Sequence, residues 1–336
     1  MDELGRTSEP CVVVGVNGSG TALRAVRWAA AEAHRRRVPL RIVHAVPHAV
    51  GNPVDEQRAA SILAMAQTVA AHAQPGVPMD TECVYEHPVQ VLAAAAETAR
   101  LLVVGMDGGN RFDDVPVRSL ALDVCAAASC PVVVVRGPEG PMPTDGPVVL
   151  GLDDVGRDAA AITAAFAEAD DSATRLVVIH ALRGPDAMLD ALAGHPTTAR
   201  AAAEEEITTA LAPWRSRHPR VPVEVRVVQG APTGRLLEAA VPARLLVVGT
   251  HARGPGARLV LGSTSRAVAR RTRCPVMVVP RDAHVFEAEA QDAARPAVET
   301  AVAAPRSWGL RPHDRGERIP LGRGARDPQR GRVPGR

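Results

Sequence analysis

The apolar positions of this chain fall into short continuous runs, separated by stretches of helical spacing and by turns rich in glycine or proline. Cys11 to Val16 is the first run. A continuous apolar run of this length, bounded by turn residues, reads as a strand buried on both faces. Asn17-Gly18-Ser19-Gly20 forms the turn after it. Residues 21–36 then place Leu23, Val26, Ala30 and Ala33 on one helical face, with Arg24, Arg27, Arg35 and Arg36 elsewhere. The same alternation continues with a strand at Arg41 to Val46, a helix over about 54–73 and a strand over 79–85. A helix over 88–99, a strand over 101–105, a helix near 118–128 and a strand at Val132 to Val135 complete the series.

This series occurs twice. Val103-Val104-Gly105-Met106-Asp107-Gly108 leads to Ser119 and to Cys130-Pro131-Val132. Val247-Val248-Gly249-Thr250-His251-Ala252 leads to Ser263 and to Cys274-Pro275-Val276, at a constant offset of 144 residues. Earlier in the chain the offset is 136, with Gly15 against Gly151 and His44 against His180. Eight extra residues therefore lie between the second strand of the second copy and Pro232, in the long helix or the loop before it. The pattern predicts an α/β protein of two Rossmann-like domains, each a five-stranded parallel sheet with helices on both faces. The expected boundaries are 1–137 for the first domain, 138–147 for a proline-rich linker, 148–282 for the second domain and 283–336 for a disordered tail. In such sheets ligands bind beyond the carboxyl ends of the strands, where the strand order reverses. The turns after the first and fourth strands of each copy lie there.

Composition narrows the picture. Hydrophobic residues make up 46% of the 336 and aromatic residues 2%, so the core is built from Val, Leu and Ala. No apolar run approaches the ~18 residues that a membrane-spanning helix needs, and a soluble, cytoplasmic protein is the expectation. All 39 basic residues are arginine, which excludes chemistry that needs a lysine ε-amine. Cys11, Cys83, Cys125, Cys130 and Cys274 form no C-x-x-C pair and have no zinc-type spacing with histidine. They read as buried thiols, and no metal ligands are expected. Residues 306–336 hold nine arginines against three acidic residues. That tail reads as disordered, with electrostatic nucleic-acid contact a minor alternative because aromatic residues are not interleaved along it for base stacking, Trp308 standing alone.

The chemistry concentrates in the second copy. Gly249 lets the chain turn off its strand, and Gly254 and Gly256 keep the following loop thin. Gly262-Ser263-Thr264 stands where a helix begins, so unpaired amides and the positive end of the helix dipole face any anion placed there. An ordinary serine cap is the plainer reading of that short motif; the strand before it and the Cys-Pro-Val after it favour a phosphate site. Asp153 follows the first strand of this copy and suits either ribose hydroxyls or a helix cap. In the first copy Arg118 replaces the glycine before Ser119, Asn17 replaces the aspartate, and Asp113 and Asp114 add negative charge. That copy is expected to bind nucleotide poorly. His44 and His180 read as packed or hydrogen-bonded side chains, and Glu204-Glu205-Glu206 as a solvated helix face.

These motifs together resemble the universal stress protein family, in the tandem form common in actinobacteria. The resemblance rests on Gly15-Val16-Asn17-Gly18-Ser19, Val43-His44-Ala45, Gly230-Ala231-Pro232 with Leu236-Leu237, and the Gly249, Gly262-Ser263 and Cys274-Pro275-Val276 series. It covers roughly residues 10–280. It implies an adenine nucleotide alpha hydrolase-like fold and ATP, with or without Mg, in the second domain. By position, Ala181 would lie near adenine, Asp153 near ribose, and Gly249, Gly262, Ser263 and Thr264 near the phosphates. Ala252 stands where the family has a second glycine, which weakens that loop's fit. The implied role is a stress-response sensor or regulator. The alternatives are a scaffold that binds no nucleotide and acts through protein contacts, or a slow ATPase. Pairing of the two domains within the chain, or a homodimer, is expected through the fifth strands, whose uncharged valines are hazardous as open edges. An unidentified protein partner is expected as well, with no membrane.

Overall fold

Runs of β-branched residues set the strands, and glycine, proline and capping side chains end them. In the computed structural model β1 (Cys11–Val16) leads through a turn closed by Ser19 into α1 (Gly20–Arg36). The Ser19 hydroxyl caps this helix by accepting from the Ala22 N–H at 3.2 Å. There follow β2 (Leu40–Ala45), α2 (Pro53–Ala73), β3 (Met79–Val84), α3 (Pro88–Ala96), β4 (Ala99–Met106), α4 (Leu120–Ala127) and β5 (Val132–Arg136). The second repeat comprises β6 (Val148–Leu152), α5 (Ala159–Asp171), β7 (Leu176–Leu182), α6 (Thr198–Ala210), α7 (Ala212–Arg217) and β8 (Val223–Gln229). It ends with α8 (Pro232–Ala239), β9 (Leu245–Gly249), α9 (Ser263–Arg271) and β10 (Val276–Val279). The structure describes residues 10–47, 52–107, 119–137, 145–182, 198–250 and 261–283, which belong to one unit. Most of the linker, 138–144, and the tail from 284 onward lie outside them.

All ten strands form one sheet in the order β3-β2-β1-β4-β5-β10-β9-β6-β7-β8. Within each half the strands are parallel, and the order reverses between β1 and β4 and again between β6 and β9. The halves join through β5 and β10, which run antiparallel with Val134 opposite Val276, Val133 opposite Met277 and Val132 opposite Val278. The fifth-strand pairing expected from the sequence is thus present within the chain, and the two five-stranded sheets are continuous.

Alternate side chains of each strand enter two cores, one on each face. Val12, Val14, Val133, Leu150 and Met277 belong to the core beneath α1, α2, α5, α6 and α7. Val13, Leu102, Val134, Leu246 and Val276 belong to the core beneath α3, α4, α8 and α9. Both cores run through both repeats. Cys125 and Cys130 lie within the second, and burial pushes their thiols up to about 12.

Three arginines depart from the helical pattern. Arg24 of α1 is buried, although its position falls off the apolar face. Arg35 and Arg36 meet Glu32 of their own helix and Glu168 of α5, and both glutamates are nearly inaccessible. Arg35 also donates to the Ser172 hydroxyl at 2.7 Å. The second repeat covers this end of α1, so Arg35 and Arg36 are mostly withdrawn from water.

The extra residues of the second repeat lie between β7 and α6. The 198–217 stretch of α6 and α7 stands at an offset of 144 from 54–73 of α2, whereas β7 still stands at 136 from β2. Pro213 breaks that helix in two, because it lacks the N–H that would bond to the preceding turn. The break seats Trp214, whose indole N–H donates to the Thr163 hydroxyl at 2.9 Å. Beside it Phe166 is fully buried, with the His218 ring 5.8 Å away. Phe166→Ala should cost about 3–5 kcal/mol and lower the melting temperature by roughly 10 °C. Val241→Ala, at a position 80% exposed, should leave it within a degree or two in the same thermal scan.

Candidate functional site

The reversal of strand order between β6 and β9 opens a crevice at their carboxyl ends, and a buried aspartate organises it. Asp158 is 2% exposed. Its Oδ2 accepts from the N–H groups of Asp153 at 2.8 Å and Asp154 at 3.2 Å, which fixes the loop after β6. Its Oδ1 lies against Cα of Gly249, so closely that a Cβ there would collide with it. Glycine at the end of β9 is therefore required by the protein's own packing. The Ser265 hydroxyl, buried in the first turn of α9, donates to the Gly249 carbonyl at 2.8 Å. One chain of contacts thus links Asp153, Asp158, Gly249 and the start of α9.

Asp153 itself is exposed at the mouth of this crevice. It is not the cap of α5, because that helix starts only after Asp158. Ala181 is half-buried near the end of β7. It follows His180, whose Nδ1 lies 3.1 Å from the Leu152 carbonyl and ties the ends of β6 and β7 together. His44 makes the equivalent 2.7 Å contact with the Val16 carbonyl, so both histidines are backbone-anchored side chains. Gly262 is the cap of α9, and Ser263 and Thr264 are its first two residues; neither hydroxyl-bearing residue occupies the cap position. Ser263 is exposed and Thr264 half-buried. Ala252, Gly254 and Gly256 lie outside the described residues, as do Arg118, Asp113 and Asp114 of the first repeat.

Gly262 differs from Gly249 in what surrounds it. Its φ of −56° is open to any residue. Among the described residues, a Cβ at this position would meet only the Ser265 hydroxyl, at an ordinary 3.9 Å. None of them demands glycine there by packing. Glycine brings no capping side chain of its own to the first-turn amides of α9. A cradle of amide donors at the positive end of a nine-residue helix suits an anion, and a phosphate in particular.

The first repeat is built differently. Ala22 stands where the second repeat has Asp158, and Ser19 caps the helix instead. Asn17 accepts from the Ser19 N–H at 3.1 Å and turns inward on its own loop. Asp107, just past β4, accepts from the Thr21 hydroxyl, and Thr21 lies 3.1 Å from the Ser19 hydroxyl. This carboxylate sits close to the amino end of α1, on the side of the sheet where the second repeat has its crevice. Among the described residues no group of three or more His, Cys, Asp or Glu could hold a metal ion, and no helix is long and apolar enough to cross a membrane.

Asp158 and Ser265 went unrecognised in the sequence. Asp158 had a signal: Val155 stands at the position of Ser19, so the second repeat lacks that cap, and Asp158 directly precedes an alanine-rich helical run. Ser265 had none beyond its place three residues after Gly262.

The model of the universal stress protein family matches residues 11–136 and 146–280. Universal stress protein Rv2623 of Mycobacterium tuberculosis (strain ATCC 25618 / H37Rv) is 31% identical over 283 residues, 80% of this chain and 95% of that one. A universal stress protein of Mycolicibacterium smegmatis is 33% identical over 288 residues, 80% of this chain and 96% of that one. The crystal structure of a universal stress protein from Archaeoglobus fulgidus is similar at a TM-score of 0.60 and 19% identity, covering 81% of this chain and 96% of that one. This last likeness concerns the fold. The chain belongs to the universal stress protein family, with two copies of the domain in tandem.

The contact between Gly249 and Asp158 is open to a double-mutant cycle. Gly249→Ala should destabilise the chain in urea unfolding, and Asp158→Ala should cost about 2 kcal/mol through its two lost backbone bonds. In the Asp158→Ala background Gly249→Ala should cost less, with a coupling of about 1–3 kcal/mol. Strictly additive losses would show that the carboxylate does not dictate glycine at 249.

Proposed function

We propose that the chain binds an adenine nucleotide, ATP, at the crevice between β6 and β9, and that occupancy of this site regulates its part in a stress response. The observation that carries the reading is Gly262, a glycine that neither its φ nor the packing of the described residues requires, set before the first turn of α9. The first-turn amides of Ser263, Thr264 and Ser265 supply donors to phosphate oxygens, and the hydroxyls of Ser263 and Thr264 add two more. The exposed Asp153 carboxylate accepts from ribose hydroxyls. The backbone near Ala181 borders adenine, and Ala252, outside the described residues, is assigned to the phosphates by its place in the sequence alone. Magnesium enters with the phosphates it neutralises. The first repeat is a poor second site: Arg118 stands in sequence where Gly262 precedes α9, and the Asp107 carboxylate, bonded to Thr21, adds negative charge at the carboxyl end of β4. A sensing role in the cytoplasm fits this arrangement.

Equilibrium binding of labelled ATP tests the reading. Gly262→Arg should weaken binding at least tenfold and leave the melting temperature of the free protein unchanged, since no described residue crowds a side chain at 262. Unaltered affinity in a folded Gly262→Arg protein would remove the site from α9.

A further inference from the structure

The ion cluster between α1 and α5 is built from equivalent positions of the two repeats, yet its charges are unequal. At the 136-residue offset Glu32 aligns with Glu168, Arg35 with Asp171 and Arg36 with Ser172. Both glutamates are buried, and both arginines that satisfy them come from the first repeat. Arg36 Nε lies 2.5 Å from Glu32, and its terminal nitrogen reaches Glu168. Arg35 bonds Glu32, Glu168 and the Ser172 hydroxyl, the residue that stands in place of a second Arg36. Asp171 and Arg244 of the second repeat also act on Arg35 electrostatically. Burial pulls the Arg35 guanidinium below its ordinary value, and Glu168 opposes that pull.

We infer that this cluster is a pairing code, which makes the first repeat accept the second and reject a copy of itself. In the observed pairing two arginines meet two glutamates. A first repeat facing another first repeat would bury at least four arginines against two carboxylates. A second repeat facing another second repeat would gather Glu168 and Asp171 twice over, against two copies of Arg244. Unbalanced charges away from water are costly, whereas the matched set is satisfied by hydrogen bonds. The valine strands β5 and β10 carry no such discrimination, because apolar edges pair with any similar edge. Adhesion comes from the strands, and the choice of partner comes from the ions. The partner that this face of the first repeat fits is the second repeat of the same kind of chain, in cis or by exchange between chains. The inference is independent of the nucleotide reading.

The test uses the full chain. Arg35→Asp combined with Arg36→Ser gives the first repeat the residues that the second repeat carries at these positions. Its melting temperature at pH 7.5 should fall by about 10 °C. Crowded, desolvated carboxylates have raised pKa values when folded, so their penalty is present at high pH and fades as they protonate. The gap to wild type should therefore narrow as pH falls from 7.5 to 5. Adding Glu168→Arg to the pair of substitutions returns an arginine from the opposite repeat, and should recover at least half of the loss. A folded triple variant with no recovery, or a loss independent of pH, would overturn the code. Should the double variant not fold, Arg36→Met, Glu168→Met and their combination decide the matter. The combination should melt above both single variants, and additive losses would refute the inference.

Discussion

The antiparallel contact between β5 and β10 is the constraint on which the rest of the structure depends. Each five-stranded half ends in a strand of buried, uncharged residues: Val132 to Val135 on one side and Val276 to Val279 on the other. Left open, either would be an adhesive edge. Joined, they convert two sheets into one of ten strands and carry both cores across the join. The outer edges are of another character. β3 carries Asp80 and Glu82, and β8 carries Glu224 and Arg226, so charged side chains guard the ends of the sheet.

The join also brings the repeats into an orientation where α1 meets α5. That contact explains why equivalent positions of the two repeats have diverged in charge while their apolar residues have not. Ala29 and Ala33 recur as Ala165 and Ala169, all buried in one core, whereas Arg35 and Arg36 recur as Asp171 and Ser172. Divergence at the crevices follows a similar logic. The second repeat lacks the serine cap and has Asp158 at the cap position of α5, where its carboxylate makes no cap bond but pins the loop of Asp153 and crowds the end of β9. The first repeat keeps the serine cap and places Asp107 against Thr21.

Much of this architecture was legible in the sequence, because fully buried parallel strands write themselves as continuous valine and leucine runs and because the chain states its pattern twice. Gly249 was expected as the point where the chain turns off its strand. Yet Gly249 and its counterpart Gly105 both pair within their strands, with Val279 and Val135, and close approach of neighbouring atoms is what calls for glycine. A Cβ on Gly105 would come within 2.7 Å of the Thr21 backbone, while Gly249 yields to Asp158. Arg24, Arg35 and Arg36 escaped because helical periodicity sorts residues by polarity and assumes that the polar side meets water. For Arg35 and Arg36 it meets the other repeat, through Glu168 and Ser172. The eight-residue insertion had two possible homes by offset alone, and the alignment of α6 and α7 with α2 places it between β7 and Thr198.

The asymmetry between the crevices carries the central claim: one nucleotide per chain, held where Gly262 leaves α9 open. Native mass spectrometry of the intact chain, titrated with ATP to millimolar concentration, counts bound nucleotides directly. A single added nucleotide at saturation is the predicted result. Two nucleotides per chain, or none at any concentration, would contradict it.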